Sequence, residues 1–332
     1  MFLANSLSEF KQQFIQQLHN MLDSDSLGAF ILVLANSMQD QALRDALNET
    51  LQQRFNTLNQ ADNDNAPIDD QYVFKQIKQH GIASLSNWKY WQKSPWELVY
   101  NPLRAMRPAR SSQAKIDSIR QDFNPQGFHF NKPFLKPEIY WEGDWQGDHY
   151  RVLYNKFPFA PWHLIIVPQP EAEQPQYLTQ QAHQQIFKIS RQTEHLPGFG
   201  IGFNSLGANA SINQLHFQSY IREDKLPIES PLWRHNGGNK DYPLSCQRHS
   251  EANAAWQAIS QLHQNNQPYH LLYREGHCYI LPRKKQGTVT LPTWAQGAGW
   301  HELFGVFTLF DIATIKELHD SDIYDTVSAF QP

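Results

Sequence analysis

Cysteine is scarce in this chain: there are two in 332 residues, Cys246 and Cys278. Two thiols allow one disulfide at most and supply neither a disulfide framework nor a zinc ribbon. Cationic excess is absent too. The formal net charge is −4 at pH 7, so there is no bulk polycation to grip a nucleic-acid backbone, and no nucleic-acid partner is expected. Long apolar runs are missing. The longest, Leu27 to Ala35, is far short of the about 20 residues that cross a bilayer. The start, Met1-Phe2-Leu3-Ala4-Asn5, lacks the basic flank and apolar core of a secretory signal. A cytoplasmic protein with no membrane partner is therefore expected. No fixed-period repeat or low-complexity tract stands out. What the chain does have is apolar and aromatic mass, 40% and 13% of its residues. That is enough for a sizeable core in two average domains or one composite one.

Periodicity divides the chain. Leu7, Phe10, Phe14, Leu18, Met21 and Leu22 recur at three- and four-residue steps, with Ser6 or Ser8 as the helix start signal. Leu43, Leu47, Leu51, Phe55 and Leu58 repeat the pattern, and Leu27 to Met38 reads as a buried helix between them. Packing accounts for these stripes. Asn59 to Asp70 reads as a turn-rich linker, and a short helix runs from about Asp70 to His80. Residues 1–90 thus form a helical region, either a dimerisation element or a cap over a sheet built from the rest of the chain. From Trp88 the texture changes to short aromatic and β-branched runs: Trp96 to Tyr100, Glu138 to Trp141, His149 to Tyr154, His163 to Val167, Phe199 to Phe203, Leu215 to Arg222, Tyr269 to Arg274, His277 to Pro282 and Leu303 to Phe310. Helices are expected at Thr179 to Glu194 and Glu251 to Leu262, with two more closing the chain. Strands with few interleaved helices predict an α+β domain over 91–332 with an antiparallel sheet.

The most informative stretch runs from Asn204 to Gln218. A loop of small polar residues, Asn204-Ser205-Leu206-Gly207-Ala208-Asn209-Ala210-Ser211, leads into an alternating strand. Period-two geometry puts Gln214, His216, Gln218 and Tyr220 on one face and Leu215, Phe217 and Ile221 on the other. The first face is expected to be open and polar. A neutral imidazole there can attack a phosphorus atom and carry a nucleotidyl group. Its other nitrogen needs an acceptor, and a backbone carbonyl would serve. Gln218 cannot act as an acid, but its amide can bond a phosphate oxygen. Such a site suits leaving groups that depart unprotonated, such as a phosphate ester, and favours transfer between phosphates over hydrolysis.

Two upstream segments support this reading. Tyr154-Asn155-Lys156-Phe157-Pro158-Phe159-Ala160-Pro161-Trp162-His163 offers aromatic walls with one amide and one ammonium, suited to a base, a ribose and a phosphate. Asn101 to Arg110 carries Arg104, Arg107 and Arg110, which can fork onto phosphates; a solvated basic loop explains them equally well. Arg283-Lys284-Lys285 reads as a solvated turn. His301 and Glu302 can reach the acceptor side, or serve structure. No paired metal-ligand spacing appears.

Asn204 to Tyr220 and Asn155 to Pro168 resemble the histidine-triad superfamily, and most of all its branch of GDP-hexose phosphorylases, which includes the plant GDP-L-galactose phosphorylases. That branch has an Asn-Ser-Leu-Gly-Ala loop and then a His-Leu-His-Phe-Gln strand. This chain has Asn204-Ser205-Leu206-Gly207-Ala208 and Gln214-Leu215-His216-Phe217-Gln218. Phe123-Asn124-Pro125-Gln126-Gly127-Phe128-His129-Phe130-Asn131-Lys132 is also similar to a segment of that branch. The resemblance implies that His216 is the nucleophile and that Gln218 contacts the transferred phosphate. Asn204, Ser205, Gly207 and Ser211 would cradle phosphates, with Asn213 and Gln214 beside them. Asn155 would lie near the ribose, with Lys156 and Phe157 alongside. His163 would match the family's histidine before an apolar strand, and Arg104 and Arg107 would face the nucleotide. The chain departs from the branch at Gln214, where a histidine is usual. If that residue lends only its carbonyl, activity survives; if its ring is needed, the protein is slow or noncatalytic.

The implied fold is a histidine-triad-like sheet of two half-units, about 91–225 and 226–332, with flanking helices. The implied activity is a nucleotidyltransferase of phosphorylase type. It would cleave a nucleoside-diphosphate hexose through nucleotidyl-His216, with phosphate or a sugar phosphate as acceptor. Phosphorolysis of dinucleoside polyphosphates, adenylyl transfer from ATP and a noncatalytic nucleotide sensor are the alternatives. No cofactor is implied; a magnesium ion bound through substrate phosphates would leave no trace in sequence. A homodimer is compatible with the helical region.

Overall fold

A computed structural model describes residues 1–24, 26–107, 116–295 and 297–332. Four helices open the chain: α1 (Leu7–Met21), α2 (Leu27–Ser37), α3 (Gln41–Gln60) and α4 (Ile68–His80). The first three start at oxygen-bearing caps. Ser6, Ser26 and Asp40 side chains accept from the amides of Glu9, Ala29 and Leu43, satisfying first-turn donors. β1 (Lys89–Lys93), β2 (Trp96–Tyr100) and the one-turn α5 (Pro102–Ala105) come after them. Next come β3 (Ile139–Trp145), β4 (Asp148–Tyr154), β5 (Leu164–Pro168), α6 (Gln180–Arg191), β6 (Phe199–Asn204) and β7 (Phe217–Ile221). The chain closes with β8 (Gln247–His249), α7 (Ala252–Gln264), β9 (Tyr269–Arg274), β10 (His277–Pro282), α8 (Trp300–Leu303), β11 (Val306–Leu309), α9 (Thr314–Glu317) and α10 (Asp320–Ser328).

Eight strands make one sheet in the order β3-β4-β5-β7-β6-β9-β10-β8, every pair antiparallel. Strands from before and after residue 225 meet along β6 and β9. The expected α+β architecture with an antiparallel sheet is present. One strand departs from expectation. β11 does not join this sheet; it pairs parallel to β2 in a separate three-stranded sheet, β1-β2-β11. An apolar run bears no mark of its partner, so periodicity alone could not assign it.

Helices cover one face of the large sheet. The hydroxyls of Tyr140 and Tyr154 reach the α1 carbonyls of Phe10 and Phe14, and Phe14 packs edge-on against Tyr154. The N-terminal helices therefore cap the sheet. His183 and Phe187 of α6 pack on Tyr273 of β9. Phe203 and Phe217 meet on this same back face. The opposite face carries a smaller apolar cluster of Phe130, Leu135, Leu153 and Val167, and beside it the short helix α8. The small sheet anchors α8 because β11 comes directly after it. Arg222, just past β7, makes a bidentate bond to Glu97 of β2 at 3.0 and 2.9 Å, which ties the two sheets together.

Candidate active site

β6 and β7 pair from Phe199↔Ile221 to Gly202↔Gln218 and then diverge. Gln176 fills the gap. Its Oε1 accepts from the His216 amide at 2.8 Å, and its Nε2 donates to the carbonyls of Asn204 (2.8 Å) and His216 (3.2 Å). One buried carboxamide thus replaces the missing ladder rung and fixes the backbone of His216. Nothing in the local pattern singled Gln176 out; its partners lie 28 and 40 residues away.

His216 Nδ1 sits 2.7 Å from the Gln214 carbonyl. A carbonyl only accepts, so Nδ1 carries the proton and Nε2 presents a bare lone pair. Nε2 makes no hydrogen bond to a described residue, and it is not among the enclosed side-chain atoms that lack a partner. Burial pushes the ring down to about 4, against a smaller upward pull from the Gln214 bond, so it is neutral at pH 7. The open polar face expected around it is not found. His216 is 5% exposed, Gln214 1% and Tyr220 fully buried, because Phe130 leans on His216 at 5.1 Å and Trp300 stacks on Tyr220 at 5.5 Å. These covers come from distant sequence, which strand alternation does not register. Clefts of about 300 and 390 Å³ lie elsewhere, beside Trp294 and Leu318 and beside Tyr242 and Cys246; His216 lines neither.

Gln218 is half-buried, and its Oε1 accepts from the Trp300 indole N–H at 2.6 Å. Trp300 lies over Gly202, where an added Cβ would overlap the indole, and an added Cβ at Gly200 would overlap Tyr220. The Gly-Ile-Gly run of β6 is thus a slot for two stacked rings. Asn204 Oδ1 accepts from the Trp300 amide at 2.9 Å and from His270 Nδ1 at 2.7 Å.

Several residues expected at the ligand have their polar atoms committed to the protein. The Gln214 side chain accepts from Phe130 N (2.7 Å) and donates to the Pro170 carbonyl (3.3 Å), so only its carbonyl touches His216. Ser205 Oγ accepts from Tyr269 N and donates to the Leu206 carbonyl. Asn213 bonds Gln176 N and the Asp122 carbonyl. Asn155 Oδ1 accepts from Phe157 N. Lys156 turns to the N-terminal helices and pairs with buried Asp70 at 2.5 Å. His163 is fully buried behind Phe159; burial, reinforced by Arg104, pushes it down to about 3. Arg104 donates to the Phe157 carbonyl and stacks over Phe159 at 4.7 Å, and Arg107 lies over Phe157. Arg110 falls outside the described residues. Arg283, expected in a solvated turn, is buried against Phe330.

In the loop, Gly207 adopts φ +75°, a backbone that favours glycine, and an added Cβ there would crowd Pro268. The amides of Ser205, Ala208 and Asn209 are bonded internally, to the Tyr269 and Ser205 carbonyls and Gln286 Oε1. Those of Leu206, Gly207, Ala210 and Ser211 stand outside these bonds, and Ser211 is exposed. His301 packs between Phe159 and Trp300, and Glu302 caps the Gly299 amide. Among the described residues no cluster of His, Cys, Asp and Glu could hold a metal, and no helix is long and apolar enough to cross a membrane.

Residues 97–220 match the family model described as the GDPGP1-like N-terminal domain. GDP-D-glucose phosphorylase 1 of Danio rerio is 38% identical over 122 residues, 36% of this chain and 35% of that protein. Its Homo sapiens counterpart is 36% identical over 123 residues, 34% and 31% of the two chains. GDP-L-galactose phosphorylase 2 of Arabidopsis thaliana is 24% identical over 138 residues, 36% and 32%. The chain spans about a third of the length of the curated relatives it matches. The crystal structure of yeast Ap4A phosphorylase Apa2 with Ap4A aligns at TM-score 0.51 and 14% identity, over 80% of this chain and 97% of that one, a likeness of fold. The chain resembles the GDP-hexose phosphorylase branch, on a histidine-triad-like fold. His216 and Gln218 lie inside the matched stretch; Trp300 and His270 lie beyond it.

Proposed function

We propose that this chain is a nucleotidyltransferase of phosphorylase type that cleaves a nucleoside-diphosphate hexose, a GDP-hexose in the first instance. One observation carries the reading: the Gln214 carbonyl holds the Nδ1 proton of a buried, neutral His216 and leaves Nε2 unprotonated. The names of the similar curated proteins support the substrate class.

In the first half-reaction, Nε2 attacks the α-phosphorus. The bond from that phosphorus to the bridging oxygen breaks, and hexose 1-phosphate leaves with the electron pair. In the second, a phosphate oxygen attacks the same phosphorus, nucleoside diphosphate forms and His216 is released. A sugar phosphate as acceptor returns a nucleotide sugar. The Gln218 amide and the loop amides of Leu206, Gly207, Ala210 and Ser211, which bond nothing among the described residues, would meet the charge that builds on the phosphoryl oxygens. The reading assigns no cofactor to the chain; any magnesium enters on the substrate's phosphates. Gln214 acts through its carbonyl alone, which favours activity over a noncatalytic sensor.

The test is product analysis with GDP-glucose and phosphate. GDP and glucose 1-phosphate are expected, with none from folded His216→Asn. Wild-type turnover by His216→Asn, or no turnover by the wild type with any nucleoside-diphosphate hexose, refutes the reading.

A further inference from the structure

Indole N–H is a donor with no acceptor capacity. Trp300 Nε1 lies 2.6 Å from Gln218 Oε1, so the carboxamide must turn its oxygen to Trp300 and its NH₂ away. The NH₂ has no partner among the described residues. Gln218, in β7, is two residues on from His216, which comes immediately before the strand. We propose that Trp300 is a positioning residue that makes Gln218 a donor-only group toward the transferred phosphoryl, and so favours a phosphate acceptor over water. This rests on the nucleotidyl-transfer reading and extends it beyond the sequence shared with the curated relatives.

The surroundings hold the indole in place from every side. Trp300 is fully buried and stacks on Tyr220 with an interplanar angle of 23°. Gly200 and Gly202 provide the slot. Asn204 takes the Trp300 amide, and His270 pins Asn204. The relay His270–Asn204–Trp300–Gln218 links β9, β6, α8 and β7, and it gives Asn204 a role other than phosphate contact. A rotated amide would turn a lone pair toward the anionic phosphoryl group, where it repels charge and can accept from a water. Attack by water on nucleotidyl-His216 yields a nucleoside monophosphate, whereas attack by phosphate yields a diphosphate. The ratio GDP:GMP therefore reads the orientation of Gln218.

Trp300→Phe keeps the ring stack and removes the N–H. With GDP-glucose and saturating phosphate, the GDP:GMP ratio is expected to fall roughly two- to ten-fold, the scale of one lost hydrogen bond. In a Gln218→Leu background the same substitution should change the ratio no further. Gln218→Glu accepts from the indole but offers no donor, so it should lose the preference for phosphate while folding normally; this arm holds even if Trp300→Phe fails to fold. An unchanged ratio in Trp300→Phe or Gln218→Glu, or an equal fall in both backgrounds, overturns the role of Trp300. A wild-type protein that makes no GDP at all sinks the nucleotidyl-transfer reading as well.

Discussion

The acid limb of the first half-reaction should lie far below that of an ordinary histidine. Burial holds His216 down at about 4, whereas an unperturbed imidazole titrates near 6.5. At pH 5 the buried ring is about nine-tenths neutral, and an ordinary one about 3% neutral, an about 30-fold difference in nucleophile concentration. The substrate suits the test, because a diphosphate esterified at both ends lacks the ionisation near pH 6 of a phosphate monoester. Rapid-quench release of hexose 1-phosphate without added phosphate isolates this step. The rate constant should be nearly flat from pH 8 to 5 and decline below. The same burial limits the window. A histidine whose folded pKa is depressed leaves the folded state weaker as pH falls from 6.5 toward 4, by about 3 kcal/mol for a shift of this size. His163 and His183, pushed down to about 3 and about 4, act in the same direction. Circular dichroism at each pH therefore marks where folding fails. A rate that halves near pH 6.5 in protein still folded would refute a buried, carbonyl-held nucleophile.

Gln214→Ala should leave the Phe130 amide unsatisfied at a cost of about 1–3 kcal/mol, seen as a lower Tm. The first half-reaction below that Tm should survive, because the carbonyl to His216 remains. Gly202→Ala should drive a methyl into the Trp300 ring, costing about 1–3 kcal/mol in denaturant titration and lowering the GDP:GMP ratio with it. Lys156→Met should lower Tm by stranding the buried Asp70 carboxylate, while KM for the nucleotide sugar stays unchanged; a raised KM would return Lys156 to the ligand.

What the sequence disclosed was local. The three- and four-residue steps of α1 and α3 carry their own period, and the short aromatic and apolar runs of β9 and β10 lie where expected. The loop at Asn204 and the histidine at 216 were visible because a polar loop and a strand change character within a few residues. What stayed hidden depends on partners far away in the chain. Lys156 meets Asp70 across 86 positions, β11 chooses β2, and Trp300 reaches Gln218 across 82. The site face looked open because alternation tells which way a side chain points and nothing of what arrives to cover it. Gln176 is hidden for the same cause: one of three glutamines in a Pro-rich loop, it has no period, and its value lies in two strands that part at Gly202.

Intact-mass spectrometry of the protein mixed with GDP-glucose, without phosphate, addresses the central claim most directly. The account predicts an added GMP mass that maps to the His216 peptide, vanishes on adding phosphate and never forms in His216→Asn. An adduct on another residue, or turnover to GDP with no adduct under rapid quench, would contradict it.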